Sequence, residues 1–144
     1  MSKVLISYQS FTGNCKALAE AAARGVAEAG GRADVKNVAE TTAPDLAGHD
    51  AFILVTTQPF QSLAGETKTM FERLWPERAK IQPGLPFAAV ICHGTDAAGS
   101  AAALDMFAKY FGWKKAGDWL LASMTSSDKQ ERARQLGIAV AQGG

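Results

Sequence analysis

The alternation of two kinds of segment constrains this chain most. Short continuous apolar runs, each about one strand long, are separated by stretches whose apolar residues recur every three or four positions. This predicts βαβ units and a parallel sheet covered by helices on both faces. Val4-Leu5-Ile6-Ser7-Tyr8 is the first strand. Asn14 to Ala29 reads as a helix with Leu18, Ala21, Ala22, Gly25 and Val26 on one stripe, ended by Gly30-Gly31. Ala33 to Val38 is a weaker, more polar strand suited to an edge. Pro44 to Asp50 is too short to read as a helix. Ala51 to Val55 is the second apolar strand, and Glu66 to Trp75 is a helix closed by Pro76. Pro86 to Cys92 is the third apolar strand, Ser100 to Phe111 a helix, and Asp118 to Leu121 the last strand. Ser127-Asp128-Lys129-Gln130 reads as a capping box opening a final helix through Leu136, Ala139 and Val140.

No repeat, linker or low-complexity tract interrupts this pattern, so residues 1–144 are expected to form one domain. A chain of this length buries enough surface to fold without a metal or disulfide. Lys and Arg total 15 against 14 Asp and Glu, a net charge of +1, which argues against a nucleic-acid partner. No apolar run approaches the roughly 20 residues of a membrane span. The chain enters Lys3-Val4-Leu5-Ile6 without a leader pattern, which with Cys15 and Cys92 read as reduced thiols suggests the cytoplasm. The two cysteines lie in very different sequence settings, although one disulfide is arithmetically possible. Two histidines and two cysteines at these spacings make no metal site. Trp75, Trp113 and Trp119 read as core or helix-end anchors.

Open parallel sheets bind ligands beyond the carboxyl ends of their strands. That selects three loops, residues 9–15, 56–65 and 92–99. The first, Gln9-Ser10-Phe11-Thr12-Gly13-Asn14-Cys15, joins a strand directly to a helix. Hydroxyls at 10 and 12, a backbone opened by Gly13, and free helix amides together suit an anion such as phosphate. A polar helix cap with no ligand is the competing reading. Neither a dinucleotide glycine fingerprint nor a Walker lysine is present.

Ser10-Phe11-Thr12-Gly13-Asn14-Cys15 closely resembles the flavodoxin phosphate signature, Ser/Thr-x-Thr-Gly-Asn-Thr. The resemblance implies a five-stranded doubly wound α/β sheet in the order 2-1-3-4-5, of the short-chain type. It implies FMN as cofactor, with Ser10, Phe11, Thr12, Gly13, Asn14 and Cys15 at its phosphate. The flavin ring would then meet Thr57, Gln58, Pro59, Phe60, Gln61 and Ser62 of the second loop. His93, Gly94, Thr95, Asp96 and Gly99 of the third loop would border its pyrimidine edge. Phe60 is the candidate for stacking on the ring, the alternative being an inward turn into the core. The third loop has Ala97-Ala98 where many flavodoxins carry a second aromatic, so one ring face is expected to be more open. Cys15 replaces the usual Thr; it reads as a small substitute whose amide still serves, or as a redox-sensitive thiol. His93 reads as a proton-handling group or as a loop histidine bonded to backbone.

Two functions follow from the resemblance, and a third from the departures. The first is an FMN-dependent electron carrier acting on a partner protein or small redox substrate, as a monomer or weak dimer. The second is an NAD(P)H-dependent flavin or quinone reductase, favoured by the lack of acidic charge in residues 56–65 and 92–99, where Asp96 stands alone. The third is an interaction module of the same fold without flavin.

Overall fold

The computed structural model describes residues 2–143. Its strands are β1 (Lys3–Tyr8), β2 (Arg32–Asn37), β3 (Ala51–Thr57), β4 (Pro86–His93), β5 (Lys114–Lys115) and β6 (Leu120–Ser123). Its helices are α1 (Asn14–Glu28), α2 (Ala43–Ala47), α3 (Gly65–Leu74), α4 (Ala98–Phe111) and α5 (Lys129–Ala141). All strand pairs are parallel, in the order β2-β1-β3-β4-β5, with β6 also on β4. The sheet order and the helices on both faces are those expected from the sequence.

The two central strands explain why their sequences are apolar without alternation. In β3 and β4 both faces are covered, and the run from Ala51 to Thr56 is buried throughout. Leu5, Phe52, Leu54, Phe87, Ala89 and Ile91 meet α2, α3 and α4 on one face. Val4, Ile6, Ile53, Val55, Ala88 and Val90 meet α1 and α5 on the other. Strand β2 is largely polar and sits at the edge. Helices α1 and α5 approach so closely at two glycines that even a Cβ is excluded there. A Cβ on Gly25 would stand 1.9 Å from the Arg134 carbonyl oxygen, and one on Gly137 2.0 Å from that of Ala22.

Four local expectations are corrected. The last edge strand is split: β5 pairs with Pro86 and Phe87, and β6 with Val90 to His93. Between them Gly117 takes φ +84° and Trp119 turns into the core, its Nε1 donating to Asp105 at 2.9 Å. Burying that indole, with its N–H satisfied, outweighs a few ladder bonds at an edge. Second, residues 43–47 do form a short helix. Thr42 caps it by accepting from the Asp45 amide, while Asp45 accepts from the Thr42 amide, and a proline stands in its first turn. Third, α5 has no such box. It starts at Lys129 after Asp128, one residue too late for Ser127 and Gln130 to hold the cap and third positions. Past α3, Pro76 does not stop the chain turning but begins a 3₁₀ segment, Trp75–Lys80.

Candidate functional site

A cleft of about 180 Å³ opens at the carboxyl ends of β1, β3, β4 and β6. From the first loop Ser10, Phe11, Thr12, Asn14 and Cys15 line it. Gly13 precedes α1 with φ +91°, a left-handed conformation that glycine adopts at little cost. Its amide donates to the Ser10 hydroxyl oxygen at 2.9 Å, which holds the turn closed. Among the described residues no side chain caps α1, and its first turn contains no acidic residue. The amides of Asn14, Cys15 and Lys16 therefore lack partners within the helix. Lys16 adds positive charge to an end that is already electropositive, an arrangement that an anion relieves. This donor set suits a phosphate.

The second loop contributes Thr57, Gln58 and Pro59 to the lining. Phe60, Gln61 and Ser62 stand outside it. Phe60 and Gln61 both adopt left-handed backbone, with φ 53° and 61°, although neither is glycine. Phe60 is 101% exposed, so the inward turn is excluded. The Ser62 amide donates to the Pro59 carbonyl oxygen at 3.2 Å and is used within the turn. From the third loop His93 and Gly94 line the cleft, and Thr95 and Asp96 do not. The Asp96 carboxylate accepts from the Ala98 amide at 3.0 Å and so starts α4. Gly99 serves the protein's own packing: a Cβ there would lie 2.1 Å from the Gln61 carbonyl oxygen.

Two glutamines fasten these loops together. Buried Gln9 accepts through Oε1 from the Thr57 hydroxyl at 2.7 Å and the Thr57 amide at 3.2 Å, tying the first loop to the second. Gln58 accepts through Oε1 from the Ser100 amide at 2.7 Å and donates to the Asp96 carbonyl oxygen, tying the second to the third. Sequence reasoning missed the role of Gln9. It also missed Met124, which lines the cleft after β6 and is half exposed. The strand-end rule that selected the other loops, applied to the last strand, would have found it.

No family model matches the chain. Over nearly its whole length the fold superposes on solved flavodoxins. An archaeal flavodoxin matches with a TM-score of 0.87 at 18% identity, covering 98% of this chain and 97% of that one. A flavodoxin from Megasphaera elsdenii matches with a TM-score of 0.80 at 21% identity, covering 96% of this chain and 98% of the other. This is the flavodoxin fold. A WrbA-like flavodoxin from Agrobacterium tumefaciens shares it, with a TM-score of 0.82 at 19% identity over 99% of this chain and 97% of that one. Sequence similarity points to longer proteins. An NAD(P)H dehydrogenase (quinone) of Gluconacetobacter diazotrophicus is 33% identical over 104 residues, 56% of this chain and 52% of the relative. One from Rhodopseudomonas palustris is 32% identical over 105 residues, 65% of this chain and 53% of the relative. The chain spans about half the length, or less, of the curated relatives it matches.

Within this flavodoxin fold the two cysteines do not lie apart, as their sequence settings suggest. Both line the cleft, both are buried, and Cys15 Sγ donates to Cys92 Sγ at 3.1 Å. The hydrogen bond to Cys92, together with burial, holds the Cys15 thiol far above its ordinary range. Accepting that bond pulls Cys92 the other way. His93 Nδ1 is buried without a hydrogen-bond partner among the described residues, so that nitrogen is not bonded to backbone. No group of three or more metal-ligating side chains occurs among the described residues. A larger apolar recess of about 400 Å³ lies between α3 and α4 against Phe71, Trp75 and Phe111, with Glu72 its one charged lining residue. It lacks the convergent donors of the strand-end cleft.

Proposed function

We propose that the chain binds FMN at the strand-end cleft and passes electrons through it. The observation that carries this reading is the uncapped start of α1. Its free amides, with the side chains of Ser10, Thr12 and Asn14, form a phosphate cradle beside a solvent-facing aromatic, Phe60. When bound, the flavin supplies the redox chemistry, and the protein's task is to hold and orient it. Ser10, Thr12, Asn14 and the amides through Cys15 hold the phosphate. Gln9 and Gln58 keep Thr57 to Ser62 and His93 to Gly99 at fixed separation around the ring. Phe60 offers its face to that ring. At about 180 Å³ the cleft is smaller than the roughly 300–1,000 Å³ that enclose a whole small molecule, so a flavin held there would be only partly enclosed. An exposed ring edge is what direct electron exchange with a partner needs.

We read residues 1–144 as one domain of a cytoplasmic protein, which two free thiols support. No described helix is long and apolar enough to cross a membrane. A redox partner protein or a small redox substrate is the proposed counterpart.

A second reading, an NAD(P)H-dependent quinone reductase, is favoured by the names of the curated relatives and by cleft loops whose one acidic residue is Asp96. The test begins with reconstitution of the purified protein with FMN and its visible spectrum. Absence of binding at high micromolar FMN overturns both readings. Steady consumption of NADH or NADPH with a quinone present supports the reductase; no consumption, with photoreduction in two separate one-electron stages, supports the carrier. Thr12→Ala is expected to weaken FMN by roughly tenfold, the worth of one charge-assisted hydrogen bond. Riboflavin, which has no phosphate, should be unaffected. Equal losses for both would overturn the cradle assignment.

A further inference from the structure

Cys15 and Cys92 are separated by 77 positions in sequence, yet their sulfurs are 3.1 Å apart. One stands in the first turn of α1 and the other next to the end of β4. Closing to a bond of about 2 Å needs a movement of about 1 Å, within reach of side-chain rotation and a slight helix shift. Both sulfurs face the same cleft, with side chains 1% and 5% exposed. Such burial disfavours a bulky disulfide reagent, while the cleft beside the sulfurs has room for a molecule the size of hydrogen peroxide. Lys129 lies near enough to favour negative charge on either sulfur.

We propose that Cys15 and Cys92 form a redox-active dithiol that hydrogen peroxide converts to an intramolecular disulfide. The Cys92 sulfur, which accepts the hydrogen bond and is the more exposed, attacks one peroxide oxygen. An S–O bond forms, the O–O bond breaks, and the leaving hydroxide takes up the thiol proton as water. The Cys15 sulfur then attacks the resulting sulfenic sulfur. The S–S bond forms, the S–O bond breaks, and the Cys15 proton leaves with the hydroxyl as a second water. Two thiols lose two electrons and two protons in all, and one peroxide becomes two waters. The proposal does not rest on the FMN reading, but both sulfurs line the same cleft, so a molecule bound there would shield them.

The test uses the reduced protein without added flavin, treated with an equivalent of hydrogen peroxide. Both free thiols should disappear together, the intact mass should fall by two hydrogens, and dithiothreitol should restore both. Held geometry speeds the second step, so the folded chain should pass to the disulfide without accumulating the sulfenic acid, which the same chain unfolded in guanidinium should accumulate. In Cys15→Ser the attack stops at the sulfenic acid, read as one oxygen added to Cys92 and captured by dimedone once the oxidised chain is unfolded. Two thiols surviving excess peroxide in the folded chain would overturn the proposal. So would oxygen gain on a single cysteine of the unaltered protein, or disulfide formation only after unfolding.

Discussion

Phe60 is the residue that local energetics alone do not explain. A left-handed phenylalanine costs roughly 1–2 kcal/mol, and here the ring recovers nothing by burial, since it lies wholly in solvent. Strain of this kind persists where the surrounding structure enforces it, and it clusters at ligand sites. Phe60→Gly removes the backbone cost but adds chain entropy of similar size, about 1 kcal/mol. The apo melting temperature should therefore move by only a few degrees. FMN affinity should fall by roughly five- to tenfold, the worth of one stacked ring, measured by flavin fluorescence titration. An unchanged affinity would remove Phe60 from the site. The aromatic itself was legible in the sequence, as a large apolar residue within a polar loop. Its left-handed backbone was not, because no local signal marks that conformation in a residue with a side chain. Gln9 was illegible for a different reason. Its importance lies in bonds to Thr57, 48 positions away, which no window along the chain brings together.

At the scale of elements, the strands with a continuous apolar run were legible because burial on both faces demands that composition. The elements that escaped were set by tertiary context. The break between β5 and β6 exists because Trp119 has a core to enter and Asp105 to bond. Helix α2 is five residues long and survives by its capping box, in which Asp45 stands where Glu or Gln is usual. The seam between the second loop and α4 shows how elements fix the site. Gly99→Ala would drive a Cβ to 2.1 Å from the Gln61 carbonyl oxygen, so the turn or the helix start must move. We expect a loss of roughly 1–3 kcal/mol in denaturant unfolding together with weaker FMN binding. Gly65→Ala is the matched control: it opens α3, has nothing within 4 Å of the new Cβ, and should be neutral or slightly stabilising.

For the whole molecule, acid sensitivity follows from two carboxylates near the polar edge. The Asp34 carboxyl is held below its ordinary 3.8 chiefly by the hydrogen bond with His49, and Arg32 adds to this. Burial pushes the Asp45 carboxyl up, but hydrogen bonds from Lys36 and Thr42 outweigh it and leave it lowered. Groups depressed on folding stabilise the protein above their unfolded value, and that contribution disappears as pH falls through the folded one. The urea midpoint should thus decline as pH drops below about 4, and less steeply in Asp45→Asn; identical slopes would refute the assignment. The overall charge is nearly balanced, and the first two cleft loops carry no charged residue. Reduction by a partner, or turnover with a quinone, should therefore change by less than about twofold between low salt and about 0.15 M. Stopped-flow rates across that range would reveal steering if it exists.

The broken border strand has a consequence beyond the site. Polymers of β-sheet grow by recruiting another chain onto a long, flat, unpaired run of backbone. One border here is β5, a lone pair of exposed lysines, followed after a bend by the four residues of β6. The other is β2, which carries Arg32, Asp34 and Lys36. Short, kinked and charged margins of this kind discourage such recruitment. The tuck that buries Trp119 thus also leaves an arriving strand no continuous track to extend.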